Sequence, residues 1–382
     1  MQRIKALTVK EWREILRDRV YLSLAFAVPL MWMIVFGYGL SFDVENVPFM
    51  IMDYDRSAMS RDYCHRYIDS RYFDFRGYLG NMDEASDLLA DSRIRLVIVI
   101  PGHFERYLME GRPASIQTII DGTFPSRTQT LQGYIEAINS AANAELIARS
   151  LADRYGIPPD RAELLVQPLR IETRYLYNQS LRSVWSIAPS LIMFALMLAP
   201  PLLTALSVVR EKEYGSIYNI YASTITRWEF IAGKLLPNLM ISSINGLVLW
   251  FMAAFYFGTP FKGSFILFCA ATFLFILTTS SIGLLISFLV RTQVAALLIT
   301  VVLSIIPTIL YSGMLLPVSS LTDAGIVQAH MFPTMYYHTI VRGVFLKGIG
   351  IEVLWFEMVA LCCFAVVLIA LCAMLFRKRP ST

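Results

Sequence analysis

Residues 210–234 read REKEYGSIYNIYASTITRWEFIAGK. Four of them are basic and three acidic, and Ile217, Ile220 and Tyr221 recur at the three-and-four spacing of an amphipathic helix. Long apolar segments flank the stretch, at 184–209 before it and 235–257 after it. It therefore reads as a polar helix pinned between two membrane spans. Too short for a domain and too ordered for a tether, such a loop suits the receipt of force from a partner on its own side of the membrane.

Working outward, runs at 20–40, 265–290, 294–316 and 353–376 are also apolar enough for a helix to cross a hydrocarbon core. Pro29 is expected to kink the first. With 56% hydrophobic residues, the 382-residue chain is read as a polytopic α-helical membrane protein with six transmembrane helices. Basic residues set the orientation. They gather before the first span (Arg3, Lys5, Lys10, Arg13, Arg17, Arg19), in the central loop (Arg210, Lys212, Arg227, Lys234), at Arg291, and in the tail 377–382. The excess of lysine and arginine in cytoplasmic loops then puts both termini in the cytoplasm. Ala25-Phe26-Ala27 lies early in the first apolar run instead of after it, so that run is read as a retained anchor.

Residues 1–19 form an expected interfacial helix, with Arg3, Lys10, Arg13 and Arg17 on one side and Ile4, Leu7, Trp12 and Ile15 towards the other. Residues 41–183 are long enough for an external domain. Strands near 49–54, 72–76, 94–100 and 116–121 alternate there with short helices, predicting an α/β fold. A helix over 126–155 follows, with Leu131, Tyr134, Ile135, Ile138, Ala142 and Leu146 on one face, ended by Gly156 and Pro158-Pro159. The last external loop, 317–352, is apolar but broken by Pro333 and Gly343, predicting two short re-entrant helices that cap the outer mouth, with Arg342 and Lys347 at headgroup level.

Most chemistry is excluded. The net charge of +4 is spread out, with no nucleic-acid motif. Cys64 alone lies in a polar region; Cys269, Cys362, Cys363 and Cys372 lie in apolar runs, and no metal-ligand spacing exists. Asp53 and Asp55 sit where a strand turns into a helix and read as caps. His65, His103, His330 and His338 have no nucleophile partner and read as structural or exposed. Glu357 is the sole carboxylate within an apolar run, near the outer end of the sixth span, and reads as solvated. No ion-driven mechanism is visible at mid-membrane, and no phosphate-binding glycine loop is present, so any motor is a separate polypeptide. Met193, Phe194 and Met197, with Thr308 and Tyr311, are candidates to line a path for apolar ligands, beside their packing role.

The order of parts, the Arg210-Glu211-Lys212-Glu213-Tyr214-Gly215 loop with Gly233-Lys234 further on, and the segment Arg342-Gly343-Val344-Phe345-Leu346-Lys347-Gly348 resemble the permease subunit of type-2 ATP-binding-cassette exporters. Among these the chain is most similar to bacterial multidrug-type permeases with a large external domain. The resemblance spans nearly the whole chain. It departs from the family at Ser223-Thr224, where a proline is common, and at Asn178-Gln179, where Asn-Pro is common.

The resemblance implies that residues 211–222 form a coupling helix on the ATPase subunit, with Glu211 and Glu213 at its start and Gly215 permitting close approach. Arg210, Lys212, Ile217, Tyr221, Gly233 and Lys234 complete that element. It further implies a bacterial inner-membrane location, cytosolic ATPase subunits that carry ATP and magnesium, no cofactor on this chain, and a second permease, identical or paralogous. A periplasmic adaptor protein is a further implied partner, beside membrane lipids. The implied function is ATP-driven export of amphiphilic or hydrophobic compounds. Two rivals stand beside it: a membrane-anchored external binding or sensing module, and ATP-driven mechanical signalling to the envelope without transport.

Overall fold

The computed structural model describes residues 2–39, 44–166, 176–179 and 182–376, so the basic tail 377–382 lies outside the described residues. The chain forms two compact units, one from Met1–Ser41 and Tyr175–Thr382, the other from Phe42–Arg174. Among the described residues six helices are long and apolar enough to cross a membrane, and an α/β sheet region lies between the first and second of them in the chain.

The chain opens with α1 (Gln2–Arg17), then α2 (Arg19–Leu22), a π turn (Ser23–Ala27) and α3 (Val28–Gly39). Asp18 separates α1 from α2 by accepting the amides of Val20 (2.9 Å) and Tyr21 (3.2 Å), a side-chain cap that restarts the helix. The irregularity expected at Pro29 takes the form of the π turn, because proline offers no N–H to the carbonyl four residues back.

The α/β unit runs β1 (Val47–Asp53), α4 (Ala58–Ile68), β2 (Phe73–Tyr78), α5 (Met82–Ala90), β3 (Leu96–Ile100), α6 (Phe104–Met109), β4 (Gln117–Ile120), α7 (Pro125–Tyr155) and α8 (Pro159–Val166). The sheet order is β2-β1-β3-β4, parallel except for β4. Leu96-Val97-Ile98 is apolar without alternation because β3 is interior and covered on both faces. One face buries Phe49, Ile51 and Ile98 under α4 and the first half of α7, whose Leu131, Ile135 and Ala142 point inward. The other buries Met52 and Val97 against Ala85 of α5. Tyr134 stacks on Tyr72 at 4.1 Å, and Glu145 receives Arg66 at 2.6 Å. Beyond these contacts Ile147 and Tyr155 are exposed, and Gly156 ends α7 in the left-handed region at φ +63°.

Asp53 and Asp55 are caps. Asp53 Oδ1 accepts the amides of Asp55 and Arg56, and Asp55 Oδ2 accepts that of Glu105 at 3.0 Å. Asp121 closes β4 by accepting from the Thr123 hydroxyl (2.6 Å) and amide, and from Arg95. The Thr123 donors, followed by Arg95, hold its carboxyl below the usual carboxylate range, against a smaller opposing effect of burial. A depressed folded-state pKa contributes stability that is present above the unfolded value, near pH 4, and lost as pH falls through the folded value. Protection factors of the amides in β3 and β4, which correct for the pH dependence of intrinsic exchange, are therefore expected to fall below about pH 4 in the native chain. Asp121→Asn is expected to exchange faster at pH 7 and to respond less to acid. Equal acid sensitivity in the two would refute the assignment.

The membrane unit continues with α9 (Ser183–Glu213), α10 (Ile217–Ala222), α11 (Arg227–Phe251), α12 (Phe265–Leu289), α13 (Gln293–Tyr311), α14 (Asp323–His330), α15 (Pro333–Arg342) and α16 (Ile351–Leu375). Helix α9 is the hub, buried on all sides from Ile187 to Ala205 and packed on α3, α11, α12, α13 and α15. Pro200 and Pro201 interrupt its ladder, and α12 passes it through Gly283, where backbone meets backbone. The loop 317–352 holds more than two short helices. A 3₁₀ turn at Val318–Ser320 and α14 precede α15, which enters the core with a π turn at Gly343–Lys347. There Tyr337 stacks on Phe275 at 4.1 Å and meets the Thr272 hydroxyl at 2.8 Å, while His338 Nε2 lies 2.8 Å from Ser190 Oγ.

Candidate functional site

The stretch 211–222 is not one helix. Helix α9 runs on through Glu213, so Arg210, Glu211, Lys212 and Glu213 form its last turn; the chain bends through Tyr214, Gly215 and Ser216, and α10 begins at Ile217. Gly215 is needed for the bend, at φ +75°, and a Cβ there would meet nothing closer than Tyr218 at 4.0 Å. Within this chain, then, it is the bend and not a neighbouring atom that calls for glycine. Carboxylates at a helix C-terminus oppose the helix dipole, and the site answers with cations and donors. Glu213 accepts the Gln293 side-chain amide, and Lys212 Nζ donates to the carbonyls of Ser287 and Val290 at the end of α12.

Glu211 turns inward. Lys234, without exposed surface, donates to Glu11 Oε1 at 2.6 Å and stands 2.8 Å from Glu211 Oε2, and it also reaches the Ser207 carbonyl at 3.3 Å. Lys10 donates to Glu211 Oε1 from the outer side. Residues 11, 211 and 234 thus tie α1, α9 and α11 together. The tie is tightened by Leu7, which lies against Gly233 so closely that a Cβ there would come within 2.4 Å. Arg3 donates to the Thr224 carbonyl at 2.9 Å, and Arg210 pairs with Asp18. The buried stripe of α1 is Leu7, Glu11 and Ile15, packed on protein. Glu11, a charged residue in the middle of that stripe, is what an interfacial reading of 1–19 missed.

Burial pushes the Glu11 carboxyl up in spite of Lys234. Asp18 is the opposite case: burial works to raise it, but the Tyr21 amide and Arg210 prevail and hold it low. Partial burial opposes the charge on Lys10, and Glu211 outweighs it, so that the ammonium's pKa is raised. Glu11, Glu14 and Glu211 bring carboxylate oxygens within 4.8 Å of one another, and each already has an ammonium neighbour in Lys10 or Lys234. The cluster is an ion-pair network.

Ile217 and Ile220 are buried and Tyr221 is half-buried, its ring 6.2 Å from that of Phe376, which also packs on Phe230. Ile217 and Tyr221 therefore anchor the elbow to its own protein. The outward face belongs to Tyr214, Tyr218 and Trp228, 73%, 58% and 61% exposed. Sequence reasoning passed over these three, although the helical spacing that turns Ile217, Ile220 and Tyr221 inward turns Tyr218 outward. A capping box between Thr226 and Glu229 starts α11 sharply behind them.

The residues expected along a ligand path lie on α9 and α13, which pack on each other. Met193, Phe194 and Met197 are buried, Phe194 stacking on Trp32 at 5.2 Å. Thr308 is fully buried with its hydroxyl unpartnered, and Tyr311 lies parallel to Phe332 at 5.9 Å. Glu357 is half-buried, with Oε2 enclosed and without a hydrogen-bond partner, so the solvated reading is corrected.

Comparison with known proteins agrees on one family. The profile of the ABC-2 family transporter protein matches residues 20–374. A "probable multidrug ABC transporter permease YbhS" of Escherichia coli is 28% identical over 91% of this chain and 89% of its own length. YbhR of the same organism, described in the same words, is 27% identical over 92% of each chain. The "inner membrane transport permease YhhJ", also from Escherichia coli, is 27% identical over 100% of this chain and 99% of its own.

Proposed function

Because the chain belongs to the ABC-2 transporter family, we propose that it is the membrane-spanning half of an ATP-driven exporter of amphiphilic or hydrophobic compounds. ATP hydrolysis is assigned to separate cytosolic subunits, which dock on the elbow of α9, α10 and α11. The observation that carries this reading is the pairing of an exposed aromatic face, Tyr214, Tyr218 and Trp228, with a buried ion network directly behind it. Large rigid aromatics at an exposed bend are favoured anchors for a protein partner. The network makes α1, α9 and α11 move as one body, so a push on the elbow reaches the hub helix without being absorbed by the loop. The basic residues of α1 and the elbow support an orientation with that end in the cytoplasm, and the description of YhhJ as an inner membrane transport permease supports a bacterial inner membrane.

A second permease, identical or paralogous, is proposed on the apolar outer face of α13, where Val294, Leu298, Val302 and Leu310 are exposed. Ile147 and Tyr155 of α7 and Leu164 and Leu165 of α8 offer the α/β unit a comparable surface for a periplasmic adaptor. The relatives' descriptions as probable multidrug permeases support amphiphilic drugs as the substrate class.

The test is ATPase stimulation and binding with the purified chain in lipid and its candidate ATPase subunit. Tyr218→Ala is expected to weaken binding about thirtyfold, and Trp228→Ala similarly, with unchanged thermal stability. If no ATPase associates with the native chain, the reading fails. If one associates but no amphiphile is moved and none stimulates hydrolysis, mechanical signalling to the envelope replaces export.

A further inference from the structure

A cavity of about 640 Å³ lies between the second half of α1, the start of the first span and the last turns of α9. Its size is that of a small-molecule site. The wall has two parts. Arg17, Arg19 and Arg210 stand on the polar side, among Glu11, Glu14, Asp18 and Glu211. Val20, Leu24 and Leu206 form the other side and belong to the first and second spans, so this wall continues along them towards the hydrocarbon.

Each carboxylate of the wall already has a cationic neighbour. Lys234 serves Glu11 and Glu211, Lys10 serves Glu211 and lies 3.6 Å from Glu14, and Arg210 serves Asp18. Arg17 and Arg19 have no acidic partner among the described residues, and both are exposed. Two free guanidinium groups at the entrance to a span, over an apolar wall, match a phosphodiester with acyl chains below it. With Arg17 and Arg19 counted, five cations face four carboxylates in this wall, and the surplus positive charge favours an anionic headgroup over a zwitterionic one.

We propose that this cavity binds an anionic phospholipid from the adjoining leaflet, with Arg17 and Arg19 on the phosphate and Val20, Leu24 and Leu206 on the upper acyl chains. The lipid braces α1 against α9 beside the ion network. The site requires only that the chain spans a membrane, so it stands or falls separately from the export reading.

The experiment is native mass spectrometry of the purified full-length chain, titrated with phosphatidylglycerol or phosphatidylcholine. One phosphatidylglycerol per chain is expected to persist preferentially, and Arg17→Gln with Arg19→Gln to weaken it about thirtyfold. Leu206→Trp, which fills the cavity without altering charge, is expected to weaken it too. Arg13→Gln, on the same helix but outside the cavity, is expected to change nothing. The proposal is overturned if the double variant keeps native affinity, or if Arg13→Gln weakens binding as much, which would mean diffuse surface attraction. Equal retention of phosphatidylcholine would overturn it as well. Displacement by glycerol phosphate at comparable concentration would identify a soluble phosphate ester instead of a lipid.

Discussion

Lys234→Met is expected to destabilise the membrane unit by about 3–5 kcal/mol and to release α1 from it. The ammonium has no exposed surface and stands between Glu11, at 2.6 Å, and Glu211, at 2.8 Å. Without it two buried carboxylates face each other, and Lys10, on the outer side, is left to balance both. Like charges in an enclosed site cannot both stay ionised cheaply, so either one takes a proton or α1 leaves. Limited proteolysis should cut within the first 17 residues of the variant and spare the native chain. The defect should shrink as pH falls, because protonating one carboxylate removes the repulsion. Converting all three residues to apolar ones, Glu11→Leu, Lys234→Met and Glu211→Leu, should recover most of the stability, since a buried ion network can be replaced by packing. A Lys234→Met chain that melts and resists protease like the native one would show that the network does not hold α1.

Gly283→Ala is expected to cost about 3 kcal/mol, and Gly283→Leu to abolish the folded protein. A Cβ at position 283 would lie 2.0 Å from the Pro201 carbonyl oxygen and 2.6 Å from its Cα. Both obstacles are backbone, so no rotamer change relieves the overlap, and α12 must move off α9 along its whole length. Without water to drive apolar faces together, helices in a membrane depend on close packing of this kind. Gly133 in α7 is the matched control, with nothing within 4 Å of its Cβ position. There alanine should stabilise by about 0.5–1 kcal/mol through helix propensity. Thermal midpoints of the two variants should therefore move in opposite directions. A Gly283→Ala chain as stable as the native one would contradict the packing of α9 on α12.

The four strands and the long helix of the α/β unit were legible because their signals are local: alternation or a short apolar run for strands, a three-and-four stripe for α7. Strand ends moved by a few residues, as with β2, which starts at Phe73 and ends at Tyr78. The elbow was legible as an element but not as a shape. The string Arg210 to Glu213 is equally compatible with the start of a coupling helix and the end of a span. What decides is the continuation of α9 by one more turn, which Lys212 secures through the Ser287 and Val290 carbonyls. Those partners lie 75 and 78 residues away, and no periodicity reports them.

The sequence by itself determined the six spans, their alternating basic loops, and the α/β insertion, because hydropathy and charge act as sums over windows about as long as a membrane is thick. Only the tertiary structure decided which polar residues are inside. Lys234 and Glu11 are separated by 223 positions and Tyr21 and Asn238 by 217, yet each pair hydrogen-bonds in the interior. A lone lysine in a charged stretch reads the same whether it faces water or two carboxylates. Its state depends on what the folded chain brings within about 3 Å, and that is a property of packing.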